Sequence, residues 1–457
     1  MANVPRFPVV RAVRRAPASV LRVHADVCVV GSGAAGISAA LEASKLGASV
    51  ALVDAAPQLG GQAVNSAIGT ICGLYSNGPT PARITHGVMD DMLRDLIAAG
   101  EASPRCARNT VIIDYSINAW MRWVERAVMA SDIQPLPGVI VREVVADAGR
   151  IRALKAVSRF GDVEVTADTF IDASGDALLP WLAGAEVNEA DEAIYGTVMA
   201  VFENVDTDVC TRYERSVYHA AMRRRGADFG LVRFDGFIFA IAEHGKVLAN
   251  LTHIETPLDP VGLARAGMEG RRQVDALLAL FREELPDAFA AARVATYGQA
   301  GIRQTRTISG RKRITVDAVR AGTRPSDAIA RCSWPIELHT QIEDAYWDVF
   351  DDNHMHYVPL AAMVPAELDN VLVAGRCIDA EPAALASVRV MGACFAMGRA
   401  AALAASQISH GSVQQLDITT LQANLHDNLE LDVADPWLAQ VTTEVGPEAH
   451  GTGQDGA

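Results

Sequence analysis

Asp26-Val27-Cys28-Val29-Val30-Gly31-Ser32-Gly33-Ala34-Ala35-Gly36, running on through Ile37–Leu46 to Ser49-Val50-Ala51-Leu52-Val53-Asp54, is the stretch that decides the fold. Val27–Val30 is continuously apolar, as a strand buried on both faces must be. Ile37–Leu46 reads as a helix, with Lys45 in its last turn and Gly47 past its end. Ser49–Val53 reads as a second buried strand, closed by Asp54. The glycines divide the work. Gly31 makes the tight turn, Gly33 lets backbone approach a pyrophosphate, and Gly36 lets the helix pack close to the strand. The helix start at Ala34 and Ala35 offers free N–H groups and a positive dipole end to phosphates. Asp54 is placed to accept a hydrogen bond from an adenosine ribose hydroxyl, with Ala55 beside it. An acidic strand end disfavours NADP, whose extra phosphate wants an Arg. NAD and FAD remain.

Outward from this unit, residues 55–82 carry no charge and are rich in Gly, Pro, Asn and Ser, as a loop running close under a ligand would be. Gly60-Gly61-Gln62 lies inside that loop. Helical patterns follow at 86–99 and 118–131, then strand patterns at 138–147, 151–160 and 163–166. Thr169–Asp172 is a short strand ending in Ala173-Ser174-Gly175-Asp176. From about 185 to 364 strand-like segments alternate with basic helices such as Arg265–Glu284. Asn370–Gly375 then restores the buried strand-to-glycine pattern. The expected organisation is α/β. A basic arm spans 1–24. A discontinuous Rossmann-like nucleotide-binding domain spans 25–184 and 365–415, with an α+β substrate or cap domain inserted at 185–364. An acidic, peripheral tail spans 416–457.

The glycine pair, together with Asp172–Asp176, Ala374-Gly375-Arg376-Cys377-Ile378, Ala386–Met391, Gly301-Ile302-Arg303-Gln304-Thr305-Arg306 and Tyr357-Val358-Pro359, resembles the two-dinucleotide-binding-domain flavoproteins. More closely, the chain from about 26 to 406 is similar to bacterial FAD-dependent oxidoreductases related to fumarate reductase and the glutathione reductase fold. The resemblance implies FAD as cofactor, with its pyrophosphate over Gly31–Gly36 and its ribityl chain near Gly60, Gly61, Gln62 and Gly375. Gly175 and Asp176 would join that site. The flavin would face Leu385–Met391, so that Ser387, Arg389 and Val390 approach it. Two departures stand out. The second strand ends in the shorter Asp54 where many relatives carry Glu. The sequence after the last strand is Gly375-Arg376-Cys377-Ile378-Asp379, not Gly-Asp, which leaves the ribityl contact open among Arg376, Asp379 and backbone.

The rest of the sequence narrows the chemistry. The chain has 457 residues, of which 50% are hydrophobic, with a formal net charge of −15. An acidic surface repels phosphate backbones, so no nucleic acid is expected as partner. Seven Cys without a CxxC pair argue against a disulfide framework, a zinc cluster and a disulfide reductase, and suggest a cytoplasmic setting. The arm carries Arg6, Arg11, Arg14, Arg15 and Arg22 but no apolar signal core. The apolar stretch 390–409 contains Arg399 and reads as a buried helix, not a membrane span. Phosphate-loop, zinc-peptidase and serine-hydrolase motifs are missing, and Trp334-Pro335-Ile336 is only a fragment of the halogenase signature. No metal is expected. Substrate-side candidates are Arg303, as a clamp for a carboxylate, and His339, His356 and Tyr357, for proton transfer. The expected activity is a dehydrogenase or oxidase that passes hydride between a small polar or carboxylated molecule and flavin N5. A flavin monooxygenase and a non-catalytic flavoprotein are the alternatives. The sequence leaves open the electron acceptor (oxygen, a nicotinamide nucleotide or a redox partner) and whether the chain forms homo-oligomers.

Overall fold

The computed structural model describes residues 20–241, 245–408 and 411–441. Strand β1 (Leu21–Val30) pairs in parallel with β2 (Val50–Asp54), and helix α1 (Ala34–Lys45) connects them. β2 pairs in parallel with β3 (Ile133–Pro137). The chain then forms an antiparallel meander of β4 (Val139–Asp147), β5 (Arg150–Ser158) and β6 (Gly161–Asp172), and β6 closes beside β1 in parallel register. Val27 to Val30 of β1 are all buried, as their continuous apolar run requires. Its first half alternates instead, and it begins at Leu21, earlier than the sequence suggested. Residues 21–24 therefore belong to the sheet, with Arg22 paired to Glu164. The remainder of the expected basic arm, 1–19, lies outside the described residues.

A smaller antiparallel sheet has the order β8-β9-β7-β10, formed by β7 (Ala200–Glu203), β8 (Phe237–Ala240), β9 (Lys246–Asn250) and β10 (Arg293–Tyr297). Helix α2 (Pro260–Glu284) covers one face. Its start is set by Asp259, whose carboxylate accepts from the Val261 and Gly262 amides, with Pro260 in the first turn. Phe202, Val247 and Ala249 pack there against Leu277, Leu278 and Phe281. The other face, with Met199, Val201, Phe239 and Leu248, packs on Ala67 of the uncharged loop. This second core draws on residues 198–292. Ile308, Ile314, Ala328–Ala330, Val358 and Leu360 belong to the larger core. Most of 308–364, expected in the inserted domain, thus packs with the nucleotide-binding half.

The chain returns to the large sheet at β11 (Val371–Val373), parallel to the end of β6. Helices α3 (Pro382–Val388) and α4 (Met391–Gln407) follow, bent by 87° at the break between them. α4 packs along α1 so closely that a Cβ at Gly398 would stand 2.2 Å from the Ala35 carbonyl oxygen. Among the described residues no single helix is long and apolar enough to cross a membrane. The C-terminal segment is not peripheral as far as it is described. Leu421, Leu425 and Leu429 are buried in the larger core. Asp435 accepts hydrogen bonds from Arg83 Nε (2.7 Å) and the Tyr75 hydroxyl (2.9 Å). The acidity of the tail masked an i, i+4 leucine stripe.

Candidate active site

A cavity of about 430 Å³ opens where the carboxyl ends of β1, β2, β6 and β11 meet the smaller sheet, the usual place for a ligand in an open parallel sheet. On the large-sheet side it is lined by Gly31–Ala35, Asp54, Gly61, Gln62, Gly175, Asp176, Gly375 and Arg376. Arg389, Val390 and Met391 form its floor, and Thr197, Asn250 and Gln299–Arg303 close it from the smaller sheet. Gln62 and Ile302 tie the two sides by a reciprocal pair of hydrogen bonds, 3.0 and 3.1 Å. Arg376 adds a bond to the Ile302 carbonyl, 2.9 Å.

The glycine loop is built for a close backbone approach. A Cβ at Gly36 would lie 1.8 Å from the Gly31 carbonyl oxygen, and one at Gly61 would lie 2.5 Å from the Gly33 Cα. At Gly33, by contrast, a Cβ would meet nothing within 4 Å. The loop is therefore packed tight on its protein side and open on its cavity side. The α1 N-terminus has no side-chain cap and no acid in its first turn, and the α4 N-terminus is likewise uncapped. The α1 N-terminus thus faces the cavity with capacity for negative charge, while at the α4 start the Gly392 amide is taken by the Cys72 carbonyl, 3.0 Å. Asp54 Oδ2 accepts from the Ser32 amide and hydroxyl, both 2.6 Å, and Oδ1 accepts from the Ala56 amide, 2.7 Å. Those bonds orient the carboxylate and leave Oδ1 with an acceptor position. Arg389 Nε is buried without a protein partner. This donor set fits a dinucleotide carrying an anionic ring, and residues 26–425 match the family model described as FAD dependent oxidoreductase.

The chain belongs to this FAD-dependent oxidoreductase family. It is an enzyme of that class, its cofactor is FAD, and its parallel sheet is the Rossmann-like fold that binds it. The chain is also 36% identical over 98 residues to the sarcosine oxidase subunit alpha of Corynebacterium sp. (strain U-96), a match spanning 21% of this chain and 9% of that protein. Among solved structures it is similar to a geranylgeranyl bacteriochlorophyll reductase-like protein of Thermoplasma acidophilum. Identity is 14% and the TM-score 0.47, with 89% of this chain and 83% of that one covered. It is similar too to a p-nitrophenol 4-monooxygenase of Pseudomonas putida, at 10% identity and a TM-score of 0.42, covering 89% and 82%.

The structure sorts the remaining expected residues of this FAD-dependent enzyme. Ala55 is exposed and stands off the cavity wall. Gly60 is buried behind the wall, its amide donating to the Ser32 carbonyl, 3.1 Å. Asp379, one of the ribityl options, is bound to Arg313 and the Gly310 amide away from the cavity, whereas Arg376 lines it. Ser387 is fully buried beneath the floor. Its hydroxyl lies 2.6 Å from the Trp334 carbonyl and 2.8 Å from His356 Nε2. His356 is therefore not a cavity group: its strand pairs with Ala328–Cys332 inside the larger core, and it braces the bend before Arg389. Burial, with His354 beside it, lowers the pKa of His356 to about 3. Tyr357 lies under the Arg324 guanidinium, also off the cavity. His339 is 0% exposed and touches the cavity only through Glu337.

Arg303 and Arg306, three positions apart in one motif, part company. Arg306 lies over Trp181 and pairs with Glu189. Arg303 is on the cavity wall, with Nη1 donating to the Tyr195 carbonyl at 2.7 Å, and among the described residues no carboxylate lies within ion-pair distance of it. Burial lowers its pKa well below the usual value, and Arg233 and Arg389 push the same way. Sequence reasoning missed Glu337 and His253, which carry no motif and stand on either side of His339 in the folded chain. Among the described residues no cluster of metal-ligating side chains forms.

Proposed function

We propose that this enzyme passes hydride between a small carboxylated molecule and FAD, the carboxylate being held by Arg303. The observation that carries the reading is a buried guanidinium on the cavity wall that has a backbone carbonyl but no acid for partner. A buried unpaired cation is costly, and an anionic ligand that enters the cavity relieves that cost. Arg389 supports the same end: its Nη2 donates to the Glu337 carbonyl, and its Nε is left for a ligand. Gly31–Gly36, Asp54, Gly61, Gly375 and Arg376 would hold the cofactor, which when bound supplies a hydride acceptor at N5. Gln62 and Arg376 pin Ile302, so the neighbouring Arg303 is fixed relative to the nucleotide loop. Thr197 and Met199 line the smaller-sheet side.

The test is anaerobic bleaching of the flavin by hydroxy and amino acids, each paired with its neutral amide. Bleaching by acids and not by amides supports the reading. Equal rates for both members of every pair would remove Arg303 from substrate recognition.

A further inference from the structure

Glu337 meets the cavity at the end of a file of buried groups. Its Oε1 lies 3.1 Å from His339 Nε2, His339 Nδ1 lies 2.9 Å from His253 Nε2, and His253 Nδ1 lies 2.8 Å from the Ile342 carbonyl oxygen. His339 is 0% exposed and His253 1%. Gln273 of α2 holds the His253 backbone from both sides, and Tyr195 stacks on its ring. The Ile342 carbonyl only accepts, and so does an ionised Glu337. In the proton order taken here, His253 carries its proton on Nδ1 and presents a bare Nε2, and His339 donates from Nδ1 and turns a bare Nε2 to Glu337. Burial, with Arg303 and Arg233 close by, holds both imidazoles neutral. Two neutral imidazoles carry two protons, and the file has three contacts. The contact between His339 Nε2 and Glu337 Oε1 is the seat for one more.

We infer that Glu337, backed by His339 and His253, is the group that exchanges a proton with the substrate. The inference rests on the reading of this cavity as the substrate site. As a substrate O–H or N–H bond breaks, its electron pair stays on the heteroatom and becomes the new double bond to carbon. The proton lodges between Glu337 Oε1 and His339 Nε2, and FAD, held by Gly31–Gly36, Asp54, Gly375 and Arg376, would supply the acceptor for the hydride that leaves the neighbouring carbon. The other charged or titratable groups that act on this carboxylate's surroundings are Arg303, Arg389 and Cys72, with the Arg233–Asp235 pair behind them. Glu337 is a catalytic residue in this account, and His339 and His253 are positioning residues that act through it.

Glu337→Gln in the FAD-loaded protein is the test. The Gln amide can donate to His339 Nε2, so it fills the third contact with a proton that does not exchange. Flavin content and melting temperature are expected to stay at the wild-type level. The flavin-reduction rate at saturating substrate is expected to fall about 100-fold or more, the scale of general acid–base catalysis, and its pH dependence to flatten. Nitrogen-15 histidine NMR of the wild type reads the file without turnover, and both rings are expected as neutral Nδ1–H tautomers. An Nε2–H tautomer at either ring would overturn the file. An unchanged rate and pH profile in Glu337→Gln would overturn the proton exchange. Wild-type flavin that no acid in the panel reduces would contradict the substrate reading instead, and the tautomers would still decide the file.

Discussion

Arg303 is the residue on which the chemistry turns, and its neighbourhood states what its loss should do. It makes one protein hydrogen bond, to a backbone carbonyl, and no ion pair with any described residue. Arg303→Ala therefore removes little that holds the two halves together, and FAD is expected to be retained at the wild-type level. A lost charge-assisted contact to substrate costs about 1.5–3 kcal/mol, so flavin reduction is expected to slow by roughly 10- to 150-fold. Stopped-flow reduction and flavin occupancy measured on one preparation check both halves of that statement. Gly33 carries a second expectation. Its missing Cβ would project into open cavity, so Gly33→Val leaves the fold intact and places a side chain where a pyrophosphate must lie. Loss of FAD affinity with preserved circular dichroism, read by titration calorimetry on apo protein, is the expected result. Gly36 is different in kind: a Cβ there collides with the Gly31 carbonyl inside the protein, so its substitution damages the turn itself.

At the scale of elements, the start of α2 is a local device with a measurable worth. Asp259 accepts two amides that the helix leaves unpaired. Asp259→Ala is expected to cost about 0.5–2 kcal/mol, read as a lower urea midpoint with unchanged slope. Such signals, and the βαβ unit before them, were legible because they are local: a strand buried on both faces is apolar throughout, and a glycine loop needs its glycines at fixed spacing. The element boundaries farther along were not. Residues 308–364 have strand patterns like those of the smaller sheet, but which core they join depends on pairings such as Ala330 with Val358, which sequence does not display. The same holds within the site. Arg303 was found because it sits in a motif, and His339 because histidine draws attention. That His339 faces His253, and not the cavity, follows from a contact between residues 86 apart in the chain, whereas its contact with Glu337 is local. His356 and Tyr357 stand off the cavity for the converse reason: their strand pairs with Ala328–Cys332, where His356 serves packing and hydrogen bonding.

For the whole molecule, the buried histidines set the acid response. His356 is held neutral with a pKa of about 3, against 6.5 for the free side chain, and burial is the main cause. His253 and His339 are shifted the same way. Between those two pKa values the unfolded chain binds protons that the folded chain refuses. The stability is thus fully present above about pH 6.5 and is lost as pH falls toward about 3. Denaturant midpoints are expected to drop steadily over that interval, and His356→Gln to flatten the drop; a midpoint independent of pH would contradict it.

The two halves of the molecule meet at one cavity, and the central claim is that this cavity receives FAD on the large-sheet side and a carboxylate on Arg303. A crystal structure of the FAD-loaded protein with a small, unreactive carboxylic acid is the most direct measurement. The account requires the pyrophosphate against Gly31–Gly36 and the acid's oxygens within hydrogen-bond distance of the Arg303 guanidinium. An acid bound elsewhere, or an Arg303 turned to a protein carboxylate with the cavity otherwise filled, would contradict it.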